Sequence, residues 1–246
     1  MLWKAKSGKE IRKVTKLLSV FLALTLFSCL GAGFSNSLVL ADDAMEARQL
    51  VDKAKFTFQD FVADPNMGAF LNLTRRARGV LIAPQVLKGA FIVGASGGSG
   101  VLLARRSLTG PWSEPAFYTL GEVSYGLQIG GQASEVILLA MTERGVTAFL
   151  GNSFKLGANV GVAAGPMGAG ASAASANLSA DILSFSRSKG LYGGISLDGA
   201  VVMVRGNWDA AYYGKEVNPE DILILRNVTN PQSAGLIEAV AKVAGP

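Results

Sequence analysis

The sequence predicts an α+β fold: a glycine-rich, mainly antiparallel, curved or barrel-like β-sheet with N-terminal amphipathic helices and short C-terminal helices. Three observations carry this expectation. Apolar residues recur at helical spacing between Asp42 and Ala63, and the period changes to two from Gly79 onward. Glycine supplies 27 of the 205 residues from Asp42 to Pro246, nearly twice its usual share of about 7%. At that density inside strands it marks bulges, tight curvature or close approach of another layer. The 246 residues are half hydrophobic and only 17% charged, which suits a domain with a real core and excludes a disordered chain.

At the N-terminus, Lys4, Lys6, Lys9, Arg12, Lys13 and Lys16 stand against Glu10 alone, and residues 17–30, LLSVFLALTLFSCL, carry no charge. A basic stretch before an apolar one of this length reads as a secretory signal. Three fates stay open. Cleavage after Val39-Leu40-Ala41 makes 1–41 a signal peptide and 42–246 the mature domain. Cleavage before Cys29, at the lipobox-like Leu26-Phe27-Ser28-Cys29, gives a lipoprotein. Retention leaves an anchor helix. In a bacterial host each places the domain outside the cytoplasm, periplasmic or peripherally membrane-associated. The first 41 residues hold six of the 23 basic residues and one of the 18 acidic ones, so the remainder is formally neutral. The overall charge of +5 therefore belongs to the leader, and no nucleic-acid partner is expected.

From Asp42 to Ala63 the residues Ala47, Leu50, Val51, Ala54, Phe58, Phe61 and Val62 form one apolar stripe, with Glu46, Asp52, Lys53, Gln59 and Asp60 elsewhere: an amphipathic helix. Asp64-Pro65 caps and opens a second short helix running to about Ala77. Period-two alternation then predicts strands at Tyr125 to Gln132 and Phe154 to Ala164. Further strands are expected at Phe91 to Ser96, Gly100 to Arg105, Glu135 to Met141, Asp181 to Ser186, Leu191 to Leu197 and Ala200 to Val204. Short helices are expected at Glu143 to Leu150, at Trp208 to Tyr213 started by Asn207 and ended by Gly214, and at Ala234 to Val243. Nothing reads as a linker within the strands, so a single domain spans about 44–246.

Histidine is absent, which removes Ser-His-Asp and Cys-His nucleophile systems and His-ligated metals. Cys29 is the lone cysteine, so neither an internal disulfide nor a Cys cluster is available. No metal, cofactor or catalytic residue is expected. Gly94-Ala95-Ser96-Gly97-Gly98 satisfies the nucleophile-elbow pattern, but without His the triad is incomplete and a glycine-rich hairpin is the expected structure. The same stretch lacks the Lys-Ser/Thr of a phosphate loop. Three sequons, at Asn72, Asn177 and Asn227, are short enough to be accidental. The carboxylates Glu114, Glu122, Glu135, Asp198, Asp209, Glu220 and Asp221 are scattered, and two within about 5 to 10 Å in a cleft are the requirement for a carboxylate hydrolase.

Lys53, Lys55, Arg75, Arg76, Arg78 and Lys88 gather around the first helices. Phe56 and Met45 fall opposite the Ala47 stripe, beside Lys53 and Lys55. An apolar side chain flanked by cations suits a membrane surface, the ring dipping among acyl chains and the cations meeting anionic headgroups. The alternative at this point is that Phe56 packs beneath the sheet and the cations are simply solvated, Arg75, Arg76 and Arg78 complementing a helix dipole.

Several phrases, in order, carry a resemblance. They are Ala77 to Pro84, Gly89 to Gly100, Trp112-Ser113-Glu114-Pro115-Ala116-Phe117, Gln128 to Gln132, Ala164 to Gly168, Lys189 to Gly199 and Tyr212-Tyr213-Gly214. Together they resemble the SYLF-domain family, described also as lipid-binding SYLF proteins and as the actin-regulator family of fungi, in the manner of its exported bacterial-type members. The resemblance implies a non-enzymatic domain with a glycine-rich antiparallel body and N-terminal helices. Its eukaryotic relatives bind phosphoinositides, partly through an amphipathic N-terminal helix, and some bind actin filaments. With no SH3 or FYVE segment in these residues, the actin and endocytic roles are not expected here. The expected function is an exported phospholipid-binding module that docks on anionic membrane surfaces through Lys53, Lys55, Phe56, Arg75, Arg76, Arg78 and Lys88. The alternative is a structural or interaction module that binds proteins of the cell envelope.

Overall fold

The computed structural model describes residues 41–90, 93–125, 130–166, 179–188, 191–194 and 197–245. Expectations for the leader and Cys29, for Phe91, and for parts of Tyr125–Gln132, Ala164–Gly170, Asn177 and Lys189–Gly199 lie outside these residues. Residues from Ala44 onward form one compact unit.

The apolar stripe folds as its spacing requires. Helix α1 covers residues 41–63 and buries Ala47, Leu50, Val51, Ala54, Phe58 and Phe61. Asp64 ends it by accepting the Asn66 N–H at 2.7 Å, which opens a 3-10 turn at Pro65–Met67 and then helix α2, Gly68–Thr74. Phe70 of α2 packs edge-on against Phe58 and Phe185, with ring centroids 6.0 and 5.2 Å apart.

Among the described residues nine strands follow: β1 Gly79–Ala90, β2 Val93–Ala104, β3 Ala116–Tyr125, β4 Gly130–Ala140, β5 Ser153–Lys155, β6 Val162–Ala164, β7 Ile182–Ser188, β8 Leu191–Gly194 and β9 Val201–Val204. They form one strongly curled sheet, a half-barrel, in the order β5-β9-β3-β2-β1-β4-β7-β6, with β8 on the same edge of β7 as β6. Every pairing between these strands is antiparallel except β6 with β7. Helix α3, Glu143–Ala148, leaves β4 with Thr142 Oγ1 accepting the Gly145 N–H. Helix α4, Gly206–Tyr213, a π-helical turn at Asp221–Leu225, a 3-10 turn at Pro231–Ser233 and helix α5, Ala234–Ala244, complete the chain.

The sheet is buried on both faces along half its length, not on one. Val80, Ile82, Val101, Leu103, Ile137, Leu139, Leu183 and Phe185 pack with α1, α2, α4 and α5. Their neighbours Leu81, Ala83, Leu102, Ala104, Val136, Leu138 and Ile182 pack into a second core with Val146 of α3, Phe149, Phe154 and Ile222. Such strands read as continuous apolar runs, because neither face meets water.

Several boundaries correct the sequence reading. The two strands expected around Ser96 and Gly100 are one strand, β2. Of the strand expected over Tyr125–Gln132, Tyr125 ends β3 and Gly130 opens β4, and the residues between them lie outside the described ones. The long strand expected over Phe154–Ala164 is broken. Asn159 donates its N–H to the Lys155 carbonyl, its side chain accepts the Lys155 N–H, and Gly157 adopts φ +81°. These local bonds outcompete a period-two pattern. Helix α4 begins at Gly206, so Asn207 is not its cap, whereas Gly214 ends it at φ +69° as expected.

Pro84 explains the sheet's main irregularity. β1 is central, between β2 and β4, where proline cannot serve the hydrogen-bond ladder. The chain inserts one extra residue there: the register of β1 shifts between Ile82 and Gln85 against β2, and between Ala83 and Val86 against β4. This bulge drives the Gln85 carbonyl toward β2, so that a Cβ at position 98 would stand 2.3 Å from it. Gly98 is therefore required.

Arg105, only 2% exposed, ties the helix ends together. Its Nε donates to the Ala77 carbonyl (2.9 Å), Nη2 to Arg75 (2.7 Å), and Nη1 to Leu108 (2.7 Å) and Ala244 (3.0 Å). The Arg75, Ala77 and Ala244 carbonyls belong to the C-terminal ends of α2 and α5, where backbone acceptors lack helical partners and the dipole is negative. Trp112 stacks on the guanidinium at 4.7 Å and donates to the Gly245 carbonyl. The rest of that phrase is also structural: Ser113 pairs with Ala104, Glu114 accepts from Ser233 at 2.6 Å, and the Pro115 carbonyl accepts from Tyr213. Arg105→Met leaves four carbonyls without this donor and is expected to cost about 3–5 kcal/mol, read as a lower midpoint in urea unfolding.

Asp209 is fully buried. Its Oδ1 accepts the Phe117 N–H at 3.0 Å, and Oδ2 has no hydrogen-bond partner among the described residues. Burial pushes its pKa up to about 7. Between pH 4 and 7 the folded carboxyl keeps a proton that the unfolded chain has released, so this group's stability contribution is full below pH 4 and is lost as pH rises through about 7. The loss is about 1.4 kcal/mol per unit across that window. Asp209→Asn is expected to flatten the wild-type decline in stability, measured by urea unfolding at pH 4, 5, 6, 7 and 8.

Candidate functional site

The start of β1 and the ends of β2 and β4 meet at one end of the sheet, and arginines collect there. Arg78 donates its N–H to the Ala140 carbonyl, and Arg105 donates its own to Arg78, which fixes the adjoining Arg75, Arg76 and Arg106 around this end. Arg78 Nη1 contacts the Arg106 carbonyl and Glu143, each at 3.2 Å. Arg106 donates from Nη2 to the Ile224 carbonyl, and Arg226, just past the π-helical turn, donates from Nη2 to the Pro111 carbonyl at 2.6 Å. Burial, then repulsion from Arg78, lowers the Arg105 pKa. Burial, then Arg106, lowers that of Arg226. Among the described residues the ion pair to Glu143 is the one that reaches this group. Two exposed leucines stand among the cations, Leu108 and Leu225.

The residues expected on α1 lie elsewhere. Phe56 is 62% exposed and Met45 53% exposed, so Phe56 does not pack beneath the sheet. Lys55 lies against Gly235 of α5, and Lys53 lines an open trough along the flank of α1. Two grooves of about 660 and 340 Å³ share Lys53, Pro84 and Gln85 and form this trough. From Glu46 to Asp60 it runs about 21 Å at the helical rise of 1.5 Å per residue. Gly97, Gly98, Ser99, Ala133 and Ser134 line its sheet side, and their small size leaves the space open. At one end Arg187 binds Glu135 with two nitrogens and Asp60 at 2.8 Å, clamping α1 to β4 and β7. At the other, Arg205 stacks on Trp208 at 3.4 Å and donates to Ser99 Oγ. Residues 42–63 carry Asp42, Asp43, Glu46, Asp52 and Asp60 against Arg48, Lys53 and Lys55, so α1 is net acidic.

Lys88 belongs to neither place. It lies ten residues along the chain from Arg78, roughly 30 Å at the strand rise. It pairs with Ser96 and Gln132 on the face shared with Val86, which packs on the core opposite α1. The basic neighbourhood expected from the sequence is thus divided among three locations. Arg106, Arg226, Leu108 and Leu225 were missed; Arg106 directly follows an apolar strand, but nothing local pairs it with a residue 120 positions later.

Ser96 lies within β2, not on a strand-to-helix turn, and donates to Glu122 at 3.3 Å. Asp60 and Glu135 share one cleft, where Arg187 takes up their oxygens, and Glu114 and Glu238 line another, where Ser233 donates to Glu114. Among the described residues no helix is long and apolar enough to cross a membrane, and no trio of acidic or Cys side chains is placed to hold a metal.

Comparison with known proteins bears on this arrangement. The profile of the Ysc84 family, described as "Las17-binding protein actin regulator", matches residues 121–243. The chain is 34% identical over 161 residues to bovine SH3 domain-containing YSC84-like protein 1, covering 65% of this chain and 46% of that protein. It is 33% identical over 150 residues to the human protein of that name, covering 60% and 43%. To Protein YSC84 of Saccharomyces cerevisiae it is 32% identical over 168 residues, covering 66% and 35%. It thus spans between about a third and a half of these relatives. A profile match over half the chain, together with these identities, shows that the chain belongs to the Ysc84, or SYLF, family, which is not an enzyme family.

Proposed function

We propose that this chain is a non-enzymatic, exported phospholipid-binding module that docks on anionic membrane surfaces. The observation that carries the reading is the gathering of Arg75, Arg76, Arg78, Arg106 and Arg226 at one end of the sheet with a single acidic partner among the described residues. Like charges held together repel, and an anionic surface removes that cost while gaining about 1 kcal/mol per cation near the headgroups. Helix α1, net acidic, contributes less to this attraction than its Lys53 and Lys55 alone suggest. Export rests on the basic and apolar character of residues 1–41.

The family description favours a second reading, a protein-docking module. The trough beside α1 offers the place for it, and retention of a protein partner after detergent has removed lipid selects it.

The test is co-sedimentation of the full chain with phosphatidylcholine vesicles, with and without about 30 mol % phosphatidylserine. The expected result is extra binding to the anionic vesicles that weakens as salt rises. Arg75→Gln with Arg76→Gln should reduce that extra binding by about tenfold or more. Equal binding to both vesicles at low salt contradicts the proposal.

A further inference from the structure

Two loops at the arginine end are held against each other by reciprocal bonds. Arg106, on the loop after β2, donates to the Ile224 carbonyl of the π-helical turn, and Arg226, just past that turn, donates back to the Pro111 carbonyl of the first loop. Each brace leaves its leucine outside the core: Leu108 is 45% exposed and Leu225 51% exposed. Arg226 has φ +59°, the one positive φ among the described non-glycine residues, a conformation that side chains with a Cβ adopt at a cost. Arg105 brings the cations and the first leucine together, since one guanidinium binds the carbonyls of both Arg75 and Leu108.

Resting on the phospholipid reading above, we infer that Leu108 and Leu225 form a paired wedge that enters the interface of an anionic bilayer, with Arg75, Arg76, Arg106 and Arg226 meeting the phosphates around it. The chemistry is that of interfacial anchoring: apolar side chains lose water on entering the acyl boundary while flanking cations stay at headgroup level. The two braces fix the leucines before contact, so little chain entropy is lost on docking. Of the other exposed apolar side chains, Met45 and Phe56 lie on a net acidic helix that the same lipids repel, Leu87 lies in the groove with Glu46 of that helix, and Met203 stands on β9 apart from these arginines. The membrane therefore meets the end of the sheet rather than α1.

Depth-sensitive quenching and binding separate this inference from the reading beneath it. The full chain and its Leu108→Trp, Leu225→Trp and Phe56→Trp variants are mixed with phosphatidylcholine vesicles containing about 30 mol % phosphatidylserine and brominated acyl chains. Leu108→Trp and Leu225→Trp are expected to be quenched above the level of the parent's own tryptophans, and Phe56→Trp to stay at that level. The double variant Leu108→Ser, Leu225→Ser is expected to bind about tenfold more weakly with an unchanged urea midpoint, since both leucines are already exposed. Anionic binding that survives the double variant, or quenching at Phe56→Trp without quenching at the two leucine positions, overturns the wedge and leaves the phospholipid reading standing. No preference of the parent for anionic vesicles overturns both.

Discussion

The Arg105 guanidinium is where the two layers of this fold are joined. It sits at the end of β2 in the middle of the sheet, almost fully buried, and binds carbonyls from the ends of α2 and α5 and from the following loop. A buried cation is tolerated only when its donors are matched, and here the acceptors are the backbone groups that two helix ends leave unpaired. Lysine carries the charge but not the planar fork that reaches acceptors in several directions. Gathering those ends also gathers their side chains. Arg75 and Arg76 come from α2, Arg78 begins the path into β1, and Arg106 follows directly. The arginine-rich end is a consequence of how the helices are anchored.

The opposite half of the sheet follows from a second constraint, Pro84. A proline in a central strand demands a bulge, the bulge displaces the Gln85 carbonyl, and that displacement demands glycine at position 98. The small residues nearby leave α1 with no deep side-chain bed on that flank, and the trough is the result. Arg187, shared by Asp60 and Glu135, holds the helix across it. The glycine excess that suggested curvature thus also opens a groove, which stands apart from the cationic end and suits a different kind of contact.

How much of this was legible depended on the range of the interaction. The stripe of α1 and the caps at Asp64 and Gly214 are local, and helical period and turn chemistry reveal them. The runs around Leu102 and Leu138 announced strands, but burial on both faces hid the alternation that would have fixed their inward sides, and the run around Leu81 in β1 was given no strand of its own. The break at Gly157 was overlooked because Asn159 bonds back to Lys155 within a run that still alternates. Within the site, Arg75, Arg76 and Arg78 stood out by adjacency. Lys88 was grouped with them because sequence distance conceals the length of a strand and the change of face at a bulge. Arg226 was invisible because its place beside Arg106 depends on long-range packing and on a π-helical turn that no pattern announced.

If Arg105 joins the layers, weakening it must loosen separate segments together while the sheet stays closed. Amide hydrogen exchange on the full chain and on Arg105→Lys measures this directly. The account expects faster exchange in residues 68–77, 106–112 and 236–245 at once, with the paired residues of β1, β2 and β4 still protected. Faster exchange confined to one of those segments, or unchanged in all of them, would contradict it.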